Sequence, residues 1–197
     1  MSFFDNTKMA GWGLFIIGIL MIISAILKIW DGATADGGLG ENLSLVVAGI
    51  GALIAAFIYF GFGNSVRSGA ISEKIEVLGR FVTTVGAATV VVGFFGAIAG
   101  LWGEQISAWS NIVTLILGLI IIYIGSKIND GKTTTFDKIL WIILVIVFLV
   151  EFILALVAIF DNTGDWINIL TSILLAIVYL YMLAFTFDGD VRKKMGM

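Results

Sequence analysis

The chain has 197 residues, of which 60% are hydrophobic and 13% are charged, with a formal net charge of -3 and a mean hydropathy of +1.11. A soluble domain carries about 45–50% apolar residues, so this composition excludes a soluble globule and indicates an integral membrane protein. Cysteine and histidine are both absent, which leaves haem, iron–sulfur and zinc sites and Cys/His catalysis without their usual side chains. We therefore expect no cofactor and no metal, and the lipid bilayer rather than a nucleic acid as the partner.

Hydrophobic runs long enough to cross a membrane recur along the whole chain. A bilayer core about 30 Å thick is spanned by about 20 helical residues. The predicted spans cover residues 11–30, 43–62, 81–102, 111–128, 139–160 and 167–187. Proline is absent, so continuous helices are expected. The sequence therefore predicts an all-α, polytopic protein with six transmembrane helices, which form one membrane domain over residues 1–197.

The basic residues predict the orientation of the chain. The loops at 31–42, 103–110 and 161–166 contain acidic residues but no Lys or Arg, whereas the opposite side contains Lys8, Arg67, Lys74, Arg80, Lys127, Lys132, Lys138, Arg192, Lys193 and Lys194. Short cytoplasmic loops are enriched in Lys and Arg. We therefore expect a multi-pass protein of the plasma membrane with both termini in the cytoplasm.

The six spans form three copies of one helical hairpin, at approximately 8–66, 72–131 and 136–190. Trp109 and Trp166 open the fourth and sixth spans in similar motifs, and Tyr123 recurs as Tyr181 before a shared Asp-Gly pair. An alternative is that membrane helices resemble one another through composition alone. The architecture resembles that of the short six-span membrane families of the HdeD acid-resistance type, a resemblance that implies a fold and no function.

Rows of small residues predict where helices pack closely. The rows are Ala48, Ala52 and Ala56 in the second span, and Gly93, Gly96 and Gly100 in the third. Small side chains let membrane helices approach one another when burial from water no longer drives association. We expect a tight core of the second, third and fourth spans. The third hairpin is then more exposed to lipid or to a partner subunit, unless its bulky side chains pack inside the bundle.

One carboxylate, Glu151, lies near the middle of the predicted span 139–160. An ionisable side chain at this depth is costly and usually faces protein or a cavity. Three roles are open: a protonated packing or inter-subunit contact, a proton or cation site, and a ligand or lipid site. Tyr179 on the sixth span is expected within reach of it. If the hairpins align as proposed, the counterparts of Glu151 are Gly93 and Met21.

Lys28 is the basic residue predicted in the outer half of a span. Its side chain has two possible directions: inward to pair with Glu151, or outward toward Asp31 and the lipid headgroups. The acidic outer loop at 31–42 lacks the spacing of an EF-hand, so a calcium site there is not the favoured interpretation.

The sequence contains no phosphate-binding loop, no paired intramembrane carboxylates and no serine triad. We therefore expect a non-enzymatic membrane protein that acts as a structural or accessory subunit, as a homo-oligomer or within a larger membrane complex. The alternative is a small proton- or cation-conducting channel or transporter that uses Glu151.

Overall fold

The described part of the chain folds into α-helices. The computed structural model describes residues 6–103, 106–161 and 164–197, so the predicted loops 103–110 and 161–166 are covered only in part. The helices are α1 (Thr7–Thr34), α2 (Leu39–Ser68), α3 (Lys74–Ala99), α4 (Ala108–Ile128), α5 (Thr135–Asp161), α6 (Trp166–Thr186) and α7 (Gly189–Lys194). The first six are long and apolar enough to cross a membrane, which confirms the predicted six-span, all-α class.

Short polar segments set where the spans begin and end. Apolar runs in lipid fold as helices because the backbone must satisfy its own hydrogen bonds. The first N–H groups of a helix still need acceptors. Asn6 accepts from two backbone N–H groups in the first turn of α1, and Asp165 does the same for α6. α2 ends at Gly69, whose φ of 83° is in the left-handed region that glycine favours.

Consecutive spans pack as antiparallel pairs, α1 with α2, α3 with α4 and α5 with α6, which supports the predicted hairpins in part, since α2 packs against α3 as extensively as α5 packs against α6. The three hairpin turns lie at one end of the bundle, here named the hairpin face. The start of α1, the α2–α3 and α4–α5 connections and α7 lie at the other end, the terminal face. At that face Gly11 of α1 packs against Arg67 of α2, and Lys74 of α3 pairs with Asp188 before α7.

Four of the six spans form the core of the bundle. Both α2 and α6 pack against α1 and against α3. In an apolar 18-residue stretch of each span, 28–39% of the residues are buried in α1, α2, α3 and α6, but only 11% in α4 and 17% in α5. The expected core of the second, third and fourth spans is therefore wrong, because α1 and α6 belong to it and α4 lies outside it against α3. The bulk of a side chain does not decide its burial here, since lipid is as apolar as the protein interior.

A glycine every seven residues brings α3 and α4 into backbone contact. The series is Gly79, Gly86, Gly93 and Gly100 in α3, and Gly118 and Gly125 in α4. A Cβ atom added to Gly86 would lie 2.7 Å from the backbone nitrogen of Ile122, and one on Gly93 would lie 2.6 Å from that of Leu115. A seven-residue spacing keeps the contact seam on one face of both helices. These glycines allow an approach that any larger residue would prevent.

The first hairpin has the same spacing, with Gly11, Gly18, Ala25 and Gly32 along α1. A Cβ atom on Gly18 would lie 2.6 Å from the Cα atom of Phe60 in α2. This series aligns Ala25 with Gly93 of the second hairpin. The predicted counterpart Met21 is therefore incorrect, because the packing seam follows the glycines rather than the aromatic residue at the end of the span.

Candidate functional site

Glu151 faces the interior of the bundle from the peripheral helix α5. The hydroxyl group of Tyr179 on α6 lies within reach of its carboxylate, and Tyr59 on α2 is close enough to interact electrostatically with both groups. Glu151 and both tyrosines are half-buried. A phenol donates one hydrogen bond, so the site can hold a carboxylate or, with its own proton, a carboxylic acid. The three side chains lie on α5, α6 and α2.

In the predicted alignment of the hairpins, Glu151 corresponds to Gly93 of the preceding hairpin. Glycine at that position lets α3 and α4 touch through their backbones. In the third hairpin, α5 and α6 are joined by side chains instead. Trp141 donates from Nε1 to the backbone oxygen of Thr186 at 2.7 Å near the terminal face. The carboxylate therefore replaces a close backbone contact with a polar one.

Aromatic rings close the site on the side of the terminal face. Phe148 lies on α5 nearly one turn from Glu151 in that direction, and Phe81 projects from α3 into the same space. The ring of Tyr179 is 6.0 Å from that of Phe81, in an edge-to-face arrangement, and 6.4 Å from that of Phe148. Both phenylalanines are buried. Apolar rings thus lie between the carboxylate and the terminal face, and they fix the orientation of the tyrosine.

Lys28 lies in a different part of the molecule. It lines a cleft of about 170 Å³ near the hairpin face, here named the hairpin-side cleft, between α1, α2, α3 and α6. Its polar lining residues are Ser24, Lys28, Asn168 and Thr171. Among the ion pairs of the described residues, Lys28 forms none, either with Glu151 or with Asp31. The structure therefore does not bring together the two charged residues that the sequence suggested as a pair.

The predicted small-residue rows occupy different environments. Gly93 and Gly96 face α4, where Asn111 and Leu115 contact them, and Gly100 follows α3 beside Ala108. In the alanine row of α2, Ala56 is fully buried, whereas Ala52 lines the hairpin-side cleft and Ala48 is half-buried. The glycine row thus packs α3 against α4, whereas part of the alanine row borders the open space of the hairpin-side cleft.

Charged residues at the terminal face form a second polar region. A cleft of about 690 Å³ lies between the start of α3 and α7. Lys74 pairs with Asp188 at 2.5 Å, and Glu73 pairs with Lys194 at 2.9 Å. The Lys74 ammonium group, with support from backbone N–H groups, lowers the pKa of the Asp188 carboxyl group below its ordinary value. These two pairs hold α7 across the end of α3.

Sequence reasoning missed Tyr59 as a partner of Glu151. Counted at about 1.5 Å per residue, Tyr59 is about 30 Å along α2 from the hairpin face and Glu151 is about 15 Å along α5. Counting residues along each helix therefore places the two side chains at different depths in the membrane. The sequence showed that a tyrosine and a carboxylate were present in membrane spans. The tilt and offset of the helices decide that the two side chains come near each other.

The fold and the site define a class: a multi-pass helical membrane protein of three hairpins, with a carboxylate–tyrosine cluster where the third hairpin joins the first. No protein-family model matches this chain, and neither a curated protein nor a solved structure matches it.

Proposed function

We propose that this protein is a non-enzymatic membrane protein that acts as a structural or accessory subunit, and that the outer surface of α5 is its contact with a second copy or with a membrane partner. The observation that supports the proposal is that the two helices of the third hairpin are packed differently. Its helix α6 is packed in the core, while α5 is held by α6 and exposes most of its length.

The exposed surface of α5 is continuous and built from large aliphatic side chains. Ile146, Leu149 and Ile153 are each about half exposed. A surface of this kind faces lipid by default, and it is also the surface through which membrane subunits meet by side-chain packing. Glu151 lies on the opposite side of the same helix, where its contact with Tyr179 holds the orientation of α5. The cluster therefore fixes which face of the helix points outward.

Single-cysteine cross-linking tests the proposal directly, because the natural chain has no cysteine. We expect Ile146→Cys and Ile153→Cys to form cross-linked dimers, or adducts with a partner, when membranes are treated with a bifunctional maleimide. Ile26→Cys on α1 is the matched control, since its side chain is equally exposed but lies on another helix. It should stay monomeric.

The proposal fails if all three variants stay uncross-linked and the purified protein is strictly monomeric in mild detergent and in lipid nanodiscs without a co-purifying protein. Cross-linking of equal extent at all three positions would indicate random collision and would also count against an α5 interface.

A second candidate function, proton or cation transfer through Glu151, is supported by its two tyrosine neighbours. A proton pathway needs further polar groups near the carboxylate, and Tyr179 and Tyr59 supply two of them. Proton or cation flux into proteoliposomes would then fall at least tenfold in Glu151→Gln. The control Glu76→Gln, which changes a carboxylate at the terminal face, should leave the flux unchanged. Equal flux in the wild type and Glu151→Gln would remove this role.

A further inference from the structure

The hairpin-side cleft contains an ammonium group for which the described part of the chain provides no counter-ion. Lys28 and Ser24 lie one turn apart on α1, and both line the cleft. Within residues 6–103, 106–161 and 164–197, neither side chain makes a hydrogen bond or an ion pair. Lys28 is exposed where it lines the cleft, and a cationic side chain without a counter-ion from the described residues attracts an anion.

The remaining polar groups of the cleft are suited to an anion. Asn168 uses one amide N–H to donate to Asp165 at 2.7 Å, which leaves its second N–H free to donate. Asp165 itself accepts from the first backbone N–H groups of α6, so its carboxylate already compensates the positive dipole at the start of that helix.

The size and lining of the cleft restrict the ligand. Its volume of about 170 Å³ equals roughly five water molecules at about 30 Å³ each. That is room for the five heavy atoms of a phosphate group, but not for a whole phospholipid. Ala52 of α2 and Val92 of α3 add an apolar wall. The small side chain of Ala52 keeps the space open.

We propose that the hairpin-side cleft binds a phosphate oxyanion, with Lys28 as its counter-ion and Ser24 and Asn168 as hydrogen-bond donors. The phosphate belongs either to a phospholipid headgroup, whose acyl chains stay in the membrane, or to free inorganic phosphate. This site is separate from Glu151 and from the proposed α5 contact, so its failure would leave the proposed function untouched.

Two probes distinguish the sources in delipidated, detergent-solubilised protein. Retention of phosphatidylglycerol is measured by native mass spectrometry, and the thermal midpoint is measured in inorganic phosphate against chloride at equal ionic strength. The variants are Lys28→Met, which removes the charge, and Ala52→Leu, which fills the cleft and keeps Lys28. Lys8→Met, an exposed lysine at the terminal face, is the control.

We expect phosphatidylglycerol retention to fall at least fivefold in Lys28→Met and in Ala52→Leu, and to be unchanged in Lys8→Met. A phosphate-dependent rise of the thermal midpoint that is lost in the same two variants would identify free phosphate as the ligand. If Lys28→Met does not fold, Ala52→Leu decides the outcome. The site does not exist as proposed if the cleft variants match the wild type with both probes, or if Lys8→Met loses binding to the same extent.

Discussion

The Lys74 ammonium group lies 2.5 Å from the Asp188 carboxylate, and this ion pair joins the first turn of α3 to the residue that caps α7. A second pair, between Glu73 and Lys194, connects the same two helices. Val191 and Met195 are buried beneath these pairs. The C-terminal helix is therefore fixed to the terminal face by charges at its two ends and by apolar contact between them.

We expect Asp188→Asn to lower the free energy of unfolding by about 1 kcal/mol near neutral pH, the upper range for a solvent-accessible ion pair. Because Lys74 lowers the pKa of Asp188 below its ordinary 3.8, the stabilisation is present above that value. It is lost as the pH falls through the lowered pKa. Denaturant titrations of both proteins at several pH values would show the difference at pH 7 and its disappearance below pH 3.8.

The neighbouring exposed carboxylate provides the control for this prediction. Asp190→Asn removes a charge from α7 without removing an ion pair shown by the described residues. A loss of stability in this variant equal to that of Asp188→Asn would mean that net charge, rather than the pair with Lys74, is responsible.

Gly86→Ala should destabilise the protein by about 1–3 kcal/mol, the usual cost of overpacking. The added Cβ atom would lie 2.7 Å from a backbone nitrogen of α4. Gly61→Ala is the matched control, because an added Cβ atom there meets nothing within 4 Å. It should be neutral or stabilising, as Ala is the better helix former. Thermal unfolding in detergent compares the two, and an equal response would contradict the glycine seam.

Tyr179→Phe should cost about 0.6 kcal/mol, the average for a polar contact between membrane helices. Its effect should not add to that of Glu151→Leu, because each change removes one side of the same contact. A double-mutant cycle by unfolding in detergent measures this coupling. Tyr123→Phe, at an exposed tyrosine of α4, is the control. Fully additive losses for Tyr179→Phe and Glu151→Leu would show that the two side chains do not interact.

The basic residues predict that the terminal face is cytoplasmic. In intact cells we expect a membrane-impermeant maleimide to label Thr34→Cys at the hairpin face. Ser72→Cys, between α2 and α3, should be labelled only after permeabilisation. Both side chains are exposed, so access rather than burial decides the result. Labelling of Ser72→Cys in intact cells would reverse the orientation, and labelling of both would contradict the six-span topology.

The number of spans could be predicted from the sequence because it depends on local properties. A run of about 20 apolar residues is long enough to cross a membrane whatever its neighbours are. Short connections also make successive spans neighbours in space. The seven-residue glycine series is visible in the sequence as well, but the predicted row of Gly93, Gly96 and Gly100 does not include Gly79 and Gly86.

The composition of the core could not be predicted, since hydrophobicity does not separate a lipid-facing side chain from a buried one. By that measure α5 and α6 are both strongly apolar, yet α6 lies between α1 and α3 and α5 lies outside. The neighbours of Lys28 and Glu151 could not be predicted either, because counting residues gives the depth along one helix but not the angle or offset between two helices. Six apolar runs of sufficient length are enough to predict six membrane-spanning helices. That Glu151 lies near Tyr179 and Tyr59, and Lys28 in a separate cleft, depends on how tilted helices pack side by side, which no single run of residues encodes.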